Sequence, residues 1–73
     1  MKLKKFEQKN GYQFRLFFEN GYVKEADLEN LIGQYVDLAD LKTARIDTDW
    51  GCLEFKNGVV DIEPKTLYRY GNL

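Results

Sequence analysis

The sequence predicts an α+β fold: an antiparallel sheet built from a three-strand N-terminal meander and a C-terminal β unit, with one or two short helices between them and a short C-terminal helical turn. Asn-Gly pairs, the strongest short hairpin signal, separate stretches of strand character near both ends of the chain. Apolar residues at helical spacing occupy the middle. At 73 residues, the chain is predicted to form a single domain over residues 1–73.

The meander is predicted from the pairs Asn10-Gly11 and Asn20-Gly21, whose residues accept the positive φ angles of a type I′ turn. The pairs separate three predicted strands, which are Leu3–Gln8, Tyr12–Glu19 and Tyr22–Ala26. For the second hairpin, a two-residue loop would pair Phe18 with Val23 and Leu16 with Glu25. A three-residue loop would pair Phe17 with Val23 and Arg15 with Glu25, and we prefer it because it brings opposite charges together.

The second strand alternates apolar and polar residues, with one exception. Its apolar face carries Tyr12, Phe14, Leu16 and Phe18, whereas Phe17 lies among the polar residues. Phe17 is therefore either covered by the termini or a neighbouring element, or part of an apolar patch that a partner uses.

A short helix is predicted after Asp27, a good N-cap residue. The residues expected on its buried face are Leu28, Leu31, Ile32 and Tyr35. Gly33 weakens the helix, so two turns are expected. Asp37 is then predicted to cap a second short turn that holds Leu38 and Leu41.

The C-terminal β unit is predicted to contain the strands Ala44–Thr48, Cys52–Lys56 and Val59–Ile62. A two-residue Asn57-Gly58 loop sets Phe55 opposite Val60 and Leu53 opposite Ile62, which gives one apolar face. Pro64 suits the first position of a helical turn, in which Leu67 and Tyr68 would pack inward and which Gly71 would stop.

Enzyme activity is not expected from this composition. The chain has no histidine, which removes the usual catalytic triads, most zinc sites and the commonest proton shuttle. Its single cysteine, Cys52, has no positively charged neighbour that would activate it. We therefore predict no catalytic residues, no cofactor and no metal site. No apolar run is long enough to span a membrane, and the lack of a disulfide pair favours the cytoplasm.

Three kinds of binding residue remain as candidates. Aromatic residues near turns are typical of interfaces, and the candidates for contact with a partner protein are Phe17, Tyr22, Trp50 and Tyr68. A structural role is nevertheless favoured for the aromatic residues, because so small a domain has few other large side chains for its core. The alternative is nucleic-acid binding through the basic first strand, by Lys2, Lys4, Lys5 and Lys9. The net charge of −1 argues against this alternative, and lysines also guard edge strands against pairing. A third hypothesis is a small-molecule site or a weak enzyme that uses Arg45, Asp47 and Asp49.

The sequence also resembles a known family, the bacterial domain-of-unknown-function family 2442. The segments that carry the resemblance are Leu53–Phe55, Asn57-Gly58, Asp61-Ile62-Glu63-Pro64 and Leu67-Tyr68, with Phe18-Glu19-Asn20-Gly21 and Asp27-Leu28 upstream. It covers roughly residues 3 to 69. The segment between Ile32 and Ala44 is shorter than the family pattern.

The resemblance implies a compact α+β domain with no assigned activity and no catalytic residues to carry over. Members of this family resemble small bacterial proteins that are often encoded beside another small protein, in the manner of toxin–antitoxin pairs. We therefore predict a non-enzymatic protein–protein interaction module, with an antitoxin-like or regulatory role. Unpaired edge strands also allow a homodimer.

Overall fold

The computed structural model describes residues 1–70 and confirms the predicted α+β class, with the strands arranged as two separate three-stranded antiparallel sheets. The N-terminal sheet contains β1 (Leu3–Gln8), β2 (Gln13–Phe18) and β3 (Val23–Asp27) in the order β1-β2-β3. The C-terminal sheet contains β4 (Arg45–Asp47), β5 (Cys52–Phe55) and β6 (Val60–Ile62) in the order β4-β5-β6. Along the chain, α1 (Glu29–Ile32) and a 3-10 helix (Leu38–Thr43) connect β3 to β4, and α2 (Pro64–Arg69) follows β6.

The hairpin between β2 and β3 has the predicted three-residue loop. Phe17 pairs with Val23, and Arg15 pairs with Glu25. Only Gly21 has a positive φ in this loop, so the expected type I′ turn at Asn20-Gly21 is wrong. Asn20 instead accepts a hydrogen bond at its side-chain oxygen from the backbone N–H of Tyr22, at 3.0 Å.

The type I′ prediction is also wrong at Asn10-Gly11 and correct at Asn57-Gly58. Gly11 has a positive φ and Asn10 does not. Asn57 and Gly58 have φ angles of 58° and 86°, and the N–H of Val59 donates to the carbonyl of Lys56 across this turn. The predicted register follows, with Phe55 opposite Val60 and Leu53 opposite Ile62.

The middle segment differs most from the prediction. α1 has only four residues; Leu28 occupies its N-cap position, and the Asp27 carboxylate accepts a hydrogen bond from the N–H of Glu29 at 2.9 Å. Because the α-helix ends at Ile32, Tyr35 does not continue its buried face and is exposed; Val36 is buried instead. In the following 3-10 helix, Leu41 is buried as predicted, but Leu38 is exposed.

Helix α2 begins at Pro64, as predicted, and Leu67 is fully buried. Tyr68 is half-buried. The predicted stop at Gly71 lies outside the described residues.

A single core joins the two sheets. The rings of Phe14 in β2 and Phe55 in β5 meet edge-on, with centroids 6.0 Å apart. The aliphatic residues around them come from both sheets and from the connecting helices: Leu3, Leu16, Leu28, Ile32, Val36, Leu41, Leu53, Ile62 and Leu67. A backbone hydrogen bond from the N–H of Leu3 to the carbonyl of Gly51 also links the first strand to the C-terminal sheet.

Candidate protein-interaction surface

The outer face of the N-terminal sheet is open at its apolar end, where Val23 is exposed. Strand pairing places Lys5, Phe17 and Val23 side by side in one row across this outer face. The next row is charged, and its Arg15 guanidinium donates to Glu25 at 2.9 Å and to Glu7 at 3.4 Å. The face is therefore apolar near the β2–β3 loop and ionic further along.

Phe17 is half-buried on this face rather than covered. The Lys5 ammonium lies 5.0 Å from the centre of its ring, which is cation–π distance. Val23 beside it is 48% exposed. An apolar pair at this position is consistent with the second interpretation of Phe17, an apolar surface patch.

Tyr22 connects this face to α2. Its ring centroid lies 6.1 Å from that of Phe18 and 4.9 Å from that of Tyr68. The ring of Phe18 in turn meets Tyr68 edge-on at 5.1 Å. These contacts fix the ring of Tyr22 while leaving the residue 41% exposed. A side chain held in this way loses little conformational entropy when it is covered by a partner.

An open cavity of about 220 Å³ lies where these side chains meet. We call its lining the aromatic patch, which consists of Lys4, Lys5, Phe17, Phe18, Gly21, Tyr22 and Val23. Two of the four predicted contact residues, Phe17 and Tyr22, are in the patch, and Tyr68 supports it through Tyr22. Val23 was not among the predicted contact residues, although its predicted pairing with Phe17 already placed it on this face.

Trp50, the fourth predicted contact residue, does not line the aromatic patch. It is 72% exposed and lies in the turn between β4 and β5, beside an open cleft of about 690 Å³. The acidic residues that line this cleft are Asp47, Asp49, Asp61 and Glu63. Within residues 1–70, no three metal-ligating side chains come together in a group that could hold a metal ion.

Of the three residues in the small-molecule hypothesis, Asp47 and Asp49 line this cleft, whereas Arg45 does not. The Arg45 guanidinium donates to the Glu54 carboxylate across the β4–β5 pair. Asp47 accepts a hydrogen bond from the N–H of Asp49 at 3.0 Å, as in an ordinary Asx turn. Cys52 is buried, and burial, followed by the charges of Asp61, Asp47, Glu63 and Glu54, raises the pKa of its thiol. The thiol form, which is a poor nucleophile, is favoured.

The basic first strand is partly neutralised within its own sheet. Glu7 lies 3.7 Å from the Lys5 ammonium and 3.2 Å from the Lys9 ammonium. Lys4 is the extra residue of a bulge in β1, and no ion pair joins it to another residue of the described chain. Lys2 lies apart from the patch and lines the acidic cleft. The four lysines therefore do not form one continuous basic surface.

Lys24 is the charged residue that sequence reasoning missed. It is only 6% exposed, and its ammonium donates to the carbonyls of Leu67 and Tyr68 at 3.2 and 2.9 Å. Burial lowers the pKa of this lysine. The contact ties β3 to the last turn of α2. The alternation of β3 indicates that Lys24 points inward. The carbonyl groups that accept its hydrogen bonds are brought near it only by the packing of α2, which the sequence pattern does not show.

Comparison with known proteins gives one match. The family model described as "Protein of unknown function (DUF2442)" matches residues 4–72. A comparison with curated proteins gives no match, and neither does a comparison with solved structures. Among residues 1–70, no helix has the length and apolarity needed to cross a membrane.

Proposed function

Since the chain belongs to the DUF2442 family of proteins of unknown function, we propose that it catalyses no reaction and binds another protein through the aromatic patch. Its partner is a small protein encoded beside it, and the chain acts in the cytoplasm as an antitoxin-like or regulatory partner. The lack of histidine in the sequence and the raised pKa of the only thiol, Cys52, support a non-enzymatic role.

The observation that carries this proposal is the exposed apolar end of the N-terminal sheet. Phe17, Tyr22 and Val23 line one open cavity, and Tyr22 is held from behind by Phe18 and Tyr68. Aromatic side chains that are well packed and still reachable are the ones that carry most of the binding energy at protein interfaces. Covering them with a partner removes apolar surface from water, which stabilises the complex.

The test is co-expression of the chain with the product of the neighbouring gene, followed by co-purification and titration calorimetry. Phe17→Ser and Val23→Glu are expected to weaken binding by at least about tenfold. Tyr35→Ser is the matched control, because Tyr35 is an exposed aromatic residue outside the patch. Unchanged affinity in both patch variants, with the melting temperature retained, would refute the assignment of the patch.

Trp50 is tested separately, since it lies beside the acidic cleft. If Trp50→Ala also weakens the complex, the partner covers both the aromatic patch and the acidic cleft. If it does not, the contact is confined to the N-terminal sheet.

Nucleic-acid binding is the second candidate, favoured by the presence of Lys4 and Lys5 in the same cavity as three aromatic residues, of which Tyr22 is exposed. Cations beside exposed rings are the combination that binds single strands. The affinity would then fall steeply with salt. A gel-shift experiment at low salt that shows no complex would remove this candidate.

A homodimer through an edge strand remains a prediction. In the N-terminal sheet, β3 is an edge strand, and it carries Glu25 and Asp27 on its exposed positions. Its buried Lys24 is an inward-pointing charge, a feature that disfavours edge-to-edge pairing. Sedimentation velocity over a range of concentrations measures the outcome directly.

A further inference from the structure

The aromatic patch combines an apolar cavity with a positive rim. The side chains of Phe17, Phe18, Tyr22 and Val23 form its apolar walls. At Gly21, a Cβ atom would meet nothing within 4 Å, so this side of the cavity is open. For comparison, an apolar cavity of about 150 Å³ is known to hold a benzene molecule. At about 220 Å³, the patch has room for one bulky apolar side chain of a partner.

The charges around this cavity have one sign. Lys4 and Lys5 line it, and no carboxylate from the described part of the chain does. Lys5 lies 3.7 Å from Glu7, but the Lys5 side chain is exposed, and a surface pair of this kind contributes little to holding the ammonium in place. Lys4 has no ion-pair partner among residues 1–70. Although the whole chain is slightly acidic, the patch is locally positive.

We propose that the aromatic patch binds an acidic segment of the partner protein, with one aromatic or large aliphatic side chain in the cavity and flanking carboxylates on Lys4 and Lys5. This inference rests on the proposed function and specifies the partner's chemistry. The apolar anchor supplies most of the affinity, and the carboxylates select the partner and its orientation. A basic segment would face the ammonium groups of Lys4 and Lys5, of which only Lys5 has a carboxylate nearby, so it is rejected.

The experiment is selection from a random peptide library displayed on phage, using the full chain as bait. Peptides enriched on the wild-type protein are expected to carry a net negative charge and one bulky apolar residue. Their affinity should fall at least about tenfold with the Lys4→Glu/Lys5→Glu variant. It should fall similarly with Val23→Glu and stay unchanged with Tyr35→Ser. Thermal melts check that each variant is folded; since Lys4 and Lys5 are exposed, their replacement leaves the core intact.

The outcomes separate this inference from the proposed function. Enriched peptides that need Val23 but are basic or neutral would overturn the acidic partner and leave the patch as a protein-binding surface. Enriched peptides that bind Val23→Glu as well as wild type would count against both. A short oligothymidylate that binds through Lys4 and Lys5, with no peptide enriched, would overturn both in favour of nucleic acid.

A second copy of this chain could also occupy the aromatic patch, and it must be distinguished from an external partner. Trp50 is exposed and follows Asp47 and Asp49, so the chain itself carries an acidic segment with an aromatic residue. Sedimentation velocity that shows self-association abolished by both Trp50→Ala and Val23→Glu would overturn the external partner and assign the patch to self-assembly. A monomer at all concentrations supports the external partner.

Discussion

The replacement Gly51→Ala tests the junction between the two sheets. Gly51 is buried with a φ of 73°, a left-handed conformation that costs a residue with a side chain about 1–2 kcal/mol. A Cβ atom at this position would lie 2.4 Å from Cβ and 2.7 Å from Cα of Lys2. The second distance involves backbone, so the first strand must move, and overpacking of this kind costs about 1–3 kcal/mol.

Together these terms predict a loss of about 2–5 kcal/mol in the free energy of unfolding. A core in a domain of this size rarely supplies more than about 3–5 kcal/mol, so Gly51→Ala should retain at most about 3 kcal/mol of stability at 25 °C. Movement of the chain at Lys2 would also lengthen or break the 3.1 Å hydrogen bond that the N–H of Leu3 donates to the Gly51 carbonyl. Urea denaturation followed by circular dichroism measures the effect.

Gly21→Ala is the matched control. Gly21 also has a positive φ, of 89°, but a Cβ there meets nothing within 4 Å. It should therefore lose only the backbone contribution, about 1–2 kcal/mol. If Gly51→Ala is no more destabilising than Gly21→Ala, the result would contradict the close approach of Lys2 to Gly51.

Three further perturbations test other parts of the fold. Leu67→Ala empties a fully buried site beneath α2 and should cost about 2–5 kcal/mol in urea denaturation; a loss below about 1 kcal/mol would contradict the packing of that helix. Tyr12→Phe removes a hydroxyl that donates to the Val36 carbonyl at 2.6 Å. Burial, followed by the charge of Asp37, raises the pKa of Tyr12 in the folded protein. The neutral phenol of Tyr12 therefore stabilises the fold below about pH 10, and this stabilisation is lost as the pH rises through the folded-state pKa. The melting temperatures of the wild type and Tyr12→Phe should converge at high pH, and a constant difference would be contrary to this reasoning. Cys52 is buried with a raised thiol pKa, so a disulfide reagent at mildly alkaline pH should label it at least about tenfold more slowly in the folded protein than in urea; equal rates would place the thiol at the surface.

Strand positions and pairing could be predicted because they depend on local turn chemistry and alternation. Opposite charges on Arg15 and Glu25 selected the correct three-residue loop, and apolar matching selected the correct pairing of Phe55 with Val60. The two-residue loop expected there is wrong, because the strands end at Phe55 and Val60 and Lys56 also has a positive φ. Turn type was less predictable. Asn20 provides a side-chain hydrogen bond to Tyr22 instead of adopting a positive φ, a choice that depends on the whole loop.

The middle of the chain was predicted less well because tertiary packing, not periodicity, ends its helix. The spacing that placed Tyr35 inward holds only while the helix continues, and α1 ends at Ile32. The candidate site likewise depends on tertiary structure that the sequence pattern does not show. Phe17, Tyr22 and Tyr68 could be chosen from their positions, but the cavity that Phe17 shares with Lys4 depends on a bulge in β1 that no sequence signal marks.

The edge-on contact between Phe14 and Phe55 has a consequence for how the protein is made. The first three strands emerge from the ribosome long before Phe55 and Leu67, the residues that cover their apolar face. During synthesis the nascent meander therefore exposes Phe14, Leu16 and Phe18 to the cellular milieu, where chaperones recognise such surfaces. The core that these residues share with Phe55, Ile62 and Leu67 is complete only when β6 and α2 have also emerged.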